Sequence, residues 1–375
     1  MKINILLPHK EKFDIQKASS VSITVKNNFI HSKYKDDIMI YGQQTDQPIF
    51  KNSFTGIKDP FLFFKSKNIN IAKKMCKIIL SQNEKNHIIE IHNRPYLINT
   101  VHSYIKKHPI SFFLHNDPHT MSGSKTIKER ANILKKVVAV FCVSEFIKNK
   151  FLVGIEIDRN KVHVINNGVE RPLKIFPKKN KEIIFLGRIV HEKGAHLYVN
   201  AVKEIAKNFP DWKFRLIGST YLGSEKEQTP FALEVIKIFK TIGKQAIYEG
   251  FINSDEVQKR MKTAAIIVIP SIWNEPFGLV VAEAMSNGIA IITSHVGGIP
   301  EIIKDKGILI KNINETKIKN ALIYLLNKPK ELRKFQKLSW NNFSHTSMLS
   351  SSILDDHRKK LLCFDYLSCT NEHSL

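Results

Sequence analysis

The sequence predicts an α/β protein built from two parallel-sheet, Rossmann-like domains. Three observations carry that expectation. Short apolar runs alternate with helix-period stretches along nearly the whole chain, the rhythm of successive βα units. The 375 residues suit about two domains of ordinary size. Near the middle, 171–181 has two prolines, several lysines and little apolar content, and it reads as a linker. The expected division is 1–170, linker 171–181, 182–345, and 346–375 as a last helix and a disordered tail.

The elements follow in order. Residues 3–7 read as the first strand, too short an apolar run for a signal peptide. A loop over 8–20 leads to a helix from about Val21, and 42–70 is aromatic and irregular. Strands over 87–91, 110–114 and 137–143 end at His92-Asn93-Arg94-Pro95, His115-Asn116-Asp117 and Ser144-Glu145. Open α/β sheets bind ligands at strand C-termini, so three polar ends would line one rim. A histidine after a strand is otherwise an ordinary loop residue. The stretch 161–165 closes this half. The second half restarts with a strand at 182–186 and a helix over 194–208. Further strands are expected at 213–217, 245–248, 265–269, 289–293 and 307–310, with a mobile loop at 218–224. Residues 314–360 read as helices, and 368–375 as a disordered end.

Composition narrows the class. Hydrophobic residues make up 43% and charged residues 25%, enough apolar content for two cores. Lys+Arg exceed Asp+Glu by 58 − 34 = 24. A nucleic-acid binder would cluster that charge, and here the lysines are scattered, so no nucleic-acid partner is expected. A diffuse compositional bias and a membrane-surface role with anionic lipids both remain. Cys76, Cys142, Cys363 and Cys369 show neither CxxC pairing nor zinc spacing, which suits reduced thiols and no metal site. No segment approaches ~18 apolar residues. The expectation is a cytoplasmic protein, peripheral on the inner face of the cytoplasmic membrane.

The chemistry concentrates in Pro270-Ser271-Ile272-Trp273-Asn274-Glu275-Pro276-Phe277-Gly278-Leu279 and the apolar helix that follows. Glu275 sits in the turn, and Glu283, eight residues on (283 − 275 = 8), lies about one turn into the helix. A strand, a tight loop and a helix start make an anion site, because the first amides are unsatisfied. Two acids beside it suit a ligand carrying both hydroxyls and phosphates. A single Glu is usually just solvated, but Glu283 interrupts an apolar helical run, where an unpaired charge is costly. Arg188 and Lys193, bracketed by Gly187 and Gly194, lie five apart after another strand. Arg grips a phosphate with two parallel hydrogen bonds and Lys supplies a point charge; the bland alternative is a surface pair at a βα turn.

These residues resemble a known family. Glu-Pro-Phe-Gly-Leu with a second Glu eight residues after the first is similar to the E-x7-E signature of retaining glycosyltransferases of family 4, which have the GT-B fold. Gly187-Arg188-Ile189-Val190-His191-Glu192-Lys193-Gly194 resembles the GR…EKG element of that family. Asn167-Gly168-Val169 and Gly297-Gly298-Ile299-Pro300-Glu301 match two more elements. The first half is most similar to bacterial lipopolysaccharide core glycosyltransferases, mannosyltransferases among them, and the resemblance covers roughly 1–345. It departs in the 8–20 loop, where Ala18-Ser19-Ser20 stands in place of the usual glycines.

The resemblance implies two domains facing across a cleft, the first on the acceptor side, with the last helix crossing back to it. It implies a nucleotide-sugar donor, GDP-mannose or a UDP-hexose, with no metal or other cofactor. Glu283 would bind the ribose hydroxyls and Glu275 the donor sugar. The amides of Phe277, Gly278 and Leu279 would hold sugar and diphosphate. Arg188 and Lys193 would neutralise the leaving group, and His115 would orient the sugar. Asn93, Arg94 and Asp117 are acceptor-side candidates. The Gly297-Gly298 turn either approaches the diphosphate or closes a βα loop. The expected acceptor is a lipid-linked lipopolysaccharide core oligosaccharide. The alternatives are another lipid or polysaccharide acceptor, or a non-catalytic basic module that binds polyanions on the same scaffold.

Overall fold

A computed structural model of the chain describes residues 2–59, 66–82, 84, 86–220 and 228–370, with 362–370 as helix backbone alone. The chain divides into two compact units, Met1–Gly168 with Ser347–Leu375, and Val169–Thr346.

The first unit runs β1 (Lys2–Leu6), α1 (Ser20–His31), β2 (Ile38–Gln43), β3 (Phe54–Ile57), α2 (Lys67–Leu80), β4 (His87–His92), α3 (Leu97–Tyr104), β5 (Ile110–Leu114), α4 (Ile127–Leu134), β6 (Ala139–Cys142), α5 (Glu145–Leu152) and β7 (Val162–Val164). Its strands form one parallel sheet in the order β3-β2-β1-β4-β5-β6-β7. The order reverses between β1 and β4, so ligand chemistry belongs at the C-terminal ends of these strands. Strands β4, β5 and β6 are buried along their whole length, as parallel strands covered on both faces must be. Strand β3 and the last two residues of β2 fall within 42–70, the stretch that reads as irregular. The aromatics there belong to a core cluster: Phe13 stacks on Phe54 at 5.6 Å and Phe29 on Phe50 at 4.4 Å. The loop lacking glycines is tied down instead by Asp14, whose carboxylate accepts from Thr45 and from the amides of Gln16 and Lys17.

The second unit continues with β8 (Asn180–Leu186), α6 (Ala195–Ile205), β9 (Lys213–Ile217), α7 (Pro230–Lys240), β10 (Ala246–Gly250), α8 (Ser254–Thr263), β11 (Ala264–Ile269), α9 (Leu279–Ser286), β12 (Ala290–Ser294), α10 (Ile299–Ile303), β13 (Ile308–Ile310), α11 (Glu315–Asn327) and α12 (Pro329–Asn341). Its parallel sheet has the order β10-β9-β8-β11-β12-β13, reversing between β8 and β11. The stretch read as a linker is part of this unit. Arg171 lies over the rings of Trp340 and Phe343, 4.2 and 5.0 Å from their centroids, and Asn180 and Lys181 open β8. The loop expected to be mobile is anchored as far as it is described: Gly218 donates to Gly250 and Ile189 to Ser219. Residues 221–224 of that loop lie outside the described residues.

After Thr346 the chain re-enters the first unit as α13 (Ser347–Thr370). The expected disordered end is helical through Thr370, and 371–375 lies outside the described residues. Arg358 fixes this helix. Its guanidinium donates two bonds to Glu90 of β4, at 2.7 and 2.8 Å. A third donor reaches Asp355 at 3.0 Å and Ser32 at 3.1 Å, and Asp355 accepts in turn from Ser32 and from the Lys33 amide. Arg358 and Glu90 are both 2% exposed or less. Removing one partner of so buried a pair strands the other charge. No described helix is long and apolar enough to cross a membrane. Arg358→Leu is expected to lower unfolding stability by about 3–5 kcal/mol, read by chemical denaturation, with α13 becoming protease-sensitive first.

Candidate active site

In the second unit the loops after β8 and β11 meet along the C-terminal edge of the sheet. Gly194 makes this possible. Its φ is +69°, and a Cβ there would lie 2.0 Å from the carbonyl oxygen of Pro270. The Ile272 amide then donates to the Glu192 carbonyl at 2.8 Å, lacing the two loops together. A third loop closes on the same point. Gly297 has φ +58°, and its Cβ would sit 2.1 Å from the Glu275 carbonyl oxygen, which accepts from the Gly298 amide at 2.8 Å. The Gly297-Gly298 turn therefore grips the backbone of Glu275.

The Glu275 side chain is 11% exposed. Its Oε1 accepts from Lys193 Nζ at 2.5 Å and from Ser271 Oγ at 2.6 Å, and among the described residues no donor reaches Oε2. Lys193 Nζ also sits 5.4 Å from the centroid of the Trp273 ring. Gly278, with φ +109°, precedes α9. Among the described residues, the amides of Gly278, Leu279 and Val280 donate to no backbone carbonyl. They are the unsatisfied donors of a helix start, on the same stretch as Glu275. Phe277 is buried, its ring set edge-on to His345 at 5.7 Å, which locks the turn. Arg188 is exposed two residues beyond β8 and has no ion-pair partner among the described residues. Direct contact thus joins Lys193, Ser271 and Glu275, and Arg188 shares their sheet edge.

Glu283 is the fifth residue of α9 and retains partial solvent contact. No described side chain donates to its carboxylate, and burial pushes it up to about 7. A carboxylate without partners on an apolar helix is an acceptor in need of donors.

In the first unit, the ends of β4 and β5 carry His92, Asn93 and His115. His92 Nδ1 and His115 Nε2 share a hydrogen bond of 2.9 Å, and His92 stacks on Phe113 at 4.3 Å. Burial holds His92 well below the usual imidazole range and His115 at about 4, so both are neutral at pH 7. One ring donates and the other accepts. Asn93 Oδ1 accepts from the His115 amide at 3.1 Å. Asn93 Nδ2 and His92 Nε2 are buried with no partner among the described residues. Asn93 and Arg94 have φ +51° and +55°, a left-handed backbone that costs non-glycine residues about 1–2 kcal/mol each. The Arg94 side chain is half-buried. Asp117 is fully engaged: Oδ1 caps the turn Pro118–Thr120 through the His119 amide, and Oδ2 pairs with Lys150. Its placement is that of a structural cap, which the sequence reading did not weigh. Ser271 and His92 were missed as site residues, although both lie inside the motifs that named their neighbours. Among the described residues, no group of three or more His, Cys, Asp or Glu side chains is arranged to hold a metal. Cys76 and Cys142 are buried free thiols, and burial pushes Cys76 up to about 12.

The Glu283 shift has a definite sign. Its carboxyl titrates near 4.5 when unfolded and near 7 when folded, so between those values the native state holds a proton that the unfolded chain has lost. Stability therefore falls as pH rises through that window and levels off above it. Glu283→Gln removes this dependence. The variant is expected to gain about 1–2 kcal/mol over the parent on going from pH 5 to pH 8, partial exposure screening the rest. Denaturation of both proteins at the two pH values checks it, because the histidine contributions cancel in the comparison. An equal difference at both pH values would show that Glu283 does not titrate there.

Comparison with known proteins supplies the context. Residues 168–339 match the family model described as glycosyl transferases group 1. The chain is 30% identical over 197 residues to the uncharacterized glycosyltransferase MJ1178 of Methanocaldococcus jannaschii, covering 52% of this chain and 51% of that one. It is 28% identical over 173 residues to the lipopolysaccharide 1,2-N-acetylglucosaminetransferase of Salmonella typhimurium, covering 43% and 45%. The chain thus spans about half the length of the curated relatives it matches. The crystal structure of Anabaena Alr3699/HepE in complex with UDP and glucose superposes with a TM-score of 0.73 at 16% identity, covering 97% of this chain and 99% of that one. The chain therefore has the GT-B fold of two Rossmann-like domains, and its residues 168–339 are similar to the glycosyl transferases group 1 family.

Proposed function

We propose that this protein is a retaining glycosyltransferase of family 4 that moves a hexose from a nucleotide sugar to the lipopolysaccharide core. The carrying observation is the Glu275 carboxylate, with Oε1 held by Lys193 and Ser271, Oε2 open, and the unsatisfied amides of α9 beginning three residues later. The amides and Arg188 receive the diphosphate, and Lys193 adds a second positive charge beside it. Charge that develops on the leaving group then meets donors already in place, which costs no reorganisation during the reaction. Glu275 Oε2 accepts from hydroxyls of the donor sugar. Glu283 accepts from the ribose hydroxyls, which supply the donors its carboxylate lacks.

Retention follows a front-face route, in which the leaving phosphate takes the proton of the acceptor hydroxyl. The cationic clamp suits this route, because it stabilises the departing diphosphate while leaving its oxygen basic enough to accept that proton. His115, neutral and fixed by His92 and Asn93, serves as a hydrogen-bonding group toward the sugar rather than as a cation. The donor is GDP-mannose or a UDP-hexose. The solved Anabaena protein, in complex with UDP and glucose, favours testing UDP-glucose first, and mannose remains the hexose suggested by the sequence resemblance. The name of the Salmonella relative supports a lipopolysaccharide acceptor. The excess of 24 positive charges favours an enzyme that works on the inner face of an anionic membrane.

The test is nucleotide release from a panel of nucleotide sugars, followed by mass spectrometry of a purified lipid-linked core acceptor. One donor is expected to be consumed and the acceptor to gain one hexose. Glu275→Gln is expected to lower transfer by about 100-fold with nucleotide affinity nearly unchanged. Arg188→Ala and Lys193→Ala are each expected to lower it by about 10- to 100-fold, the loss of a charge-assisted hydrogen bond. Silence with every donor, together with tight salt-sensitive binding to nucleic acid, would sink this reading in favour of a non-catalytic polyanion-binding module.

A further inference from the structure

The second unit carries a pocket of about 670 Å³ that plays no part in the proposed reaction. It is lined by Asn180, the first residue of β8, by Trp212, just before β9, and by Ala265 near the start of β11. It therefore opens at the N-terminal edge of the sheet. Glu275 and Lys193 lie beyond the opposite edge, roughly a strand length of about 20 Å away.

Its chemistry is two-sided. Phe176, Trp212, Leu326 and Leu332 give it apolar walls. Lys178, Lys179, Lys181 and Arg333 are its only charged lining residues, with no acid among them. These cations are not equivalent. Lys181 is paired with Asp211 at 3.0 Å. Lys179 donates to the carbonyls of Lys262 and Asn287, at 3.0 and 2.8 Å, and so caps the C-terminal ends of α8 and α9. Burial, with the charge of Arg333 adding to it, pushes Lys179 down to about 7. Lys178 and Arg333 have no acidic partner among the described residues. The Arg333 guanidinium rests on the Phe176 ring, 4.2 Å from its centroid, which pre-orients its donors at the pocket wall. The exposed face of α12 adds Lys330, Lys334 and Lys337 nearby.

The charges of Lys178 and Arg333, gathered beside an apolar hollow with no acid among its lining residues, are complementary to an anion with an apolar body. We infer that this pocket binds a phosphorylated amphiphile, its phosphate between Lys178 and Arg333 and its apolar portion against Trp212 and Leu332. The same chemistry is offered by a free phosphorylated lipid and by a phospholipid headgroup region in a bilayer.

The full chain is titrated by calorimetry, without nucleotide sugar, against dihexanoyl phosphatidic acid, inorganic phosphate and dihexanoyl phosphatidylcholine. Phosphatidic acid is expected to bind at least tenfold more tightly than either of the others. Lys178→Gln and Arg333→Gln are each expected to weaken it by about tenfold. Lys178 and Arg333 are exposed, so both variants keep the parent thermal transition. Trp212→Phe is expected to abolish the fluorescence change that accompanies binding. Sedimentation with phosphatidylcholine vesicles containing phosphatidic acid separates the sources. Co-sedimentation that is lost in both variants assigns the bilayer, and soluble binding without it assigns the free lipid. Equal affinity for phosphate and phosphatidic acid would remove the apolar contribution and overturn the proposal. Equal affinity for the two lipids, or unchanged binding in both variants, would remove the charge contribution and overturn it as well. No donor turnover enters these readings, so they stand or fall separately from the transferase reaction.

Discussion

Three loops of the second unit share one small volume, and backbone sterics decide whether they can. Gly194 lies against Pro270, and Gly297 lies against Glu275, each where a Cβ would sit about 2 Å from a carbonyl oxygen. Both adopt the left-handed backbone that glycine enters without the clash other residues meet. The rest of the site follows from that approach. Lys193, next to Gly194, is delivered to Glu275, and the Glu275 carbonyl is held by Gly298. The backbone of Glu275 is thus held by main chain, and its carboxylate by a cation and a hydroxyl. A site whose rotamers are locked this way is set before any ligand arrives.

The electrostatics divide labour between the two acids. Glu275 already accepts on one oxygen from a cation and a hydroxyl, and its other oxygen is available. Glu283 has neither, and its carboxyl is pushed up to about 7. A bound ligand with hydroxyl donors would lower that value again, so ligand binding and proton release at Glu283 are linked. The cost of leaving Glu283 unpaired is a stability cost of the unliganded protein, of the kind binding sites commonly carry. Across the sheet, Lys179 does opposite work. It joins the C-terminal ends of α8 and α9, so the cation at one edge helps hold the helix whose first turn faces the other.

What was legible in the sequence follows from locality. Glu275, the glycines and the Arg188/Lys193 pair lie within short loops and Glu283 in the helix that follows one, so their order along the chain is readable locally. The βα rhythm likewise placed nearly every strand of the second unit, because buried parallel strands such as Ala264–Ile269 are continuous apolar runs. Long-range partners left no such trace. Glu90 and Arg358 are 268 residues apart, and each alone reads as a surface charge. Strand β3 was hidden because Phe50 and Phe54 pack into an aromatic cluster whose other members, Phe13 and Phe29, come from distant stretches. Asp117 is an acceptor-side candidate from sequence because it follows the C-terminal end of a strand. Its commitment to Lys150 and to a turn cap depends on α5 packing beside that turn, which no local pattern encodes.

The buried charge network of the first unit also reaches its candidate site. Glu90 and His92 are two residues apart on β4, and alternate residues of a strand share one face. Glu90 takes the two-pronged bond from Arg358, and His92 shares a hydrogen bond with His115. The positive charge of Arg358 is one of the causes that hold His92 below its ordinary range, after burial and His115. Helix α13 therefore does more than close the unit. By bringing Arg358 to Glu90, it favours a neutral His92, and only a neutral His92 can either donate to its neighbour or accept from it. The charge state of His92, and with it the hydrogen bond it shares with His115, thus depends in part on a residue far along the chain.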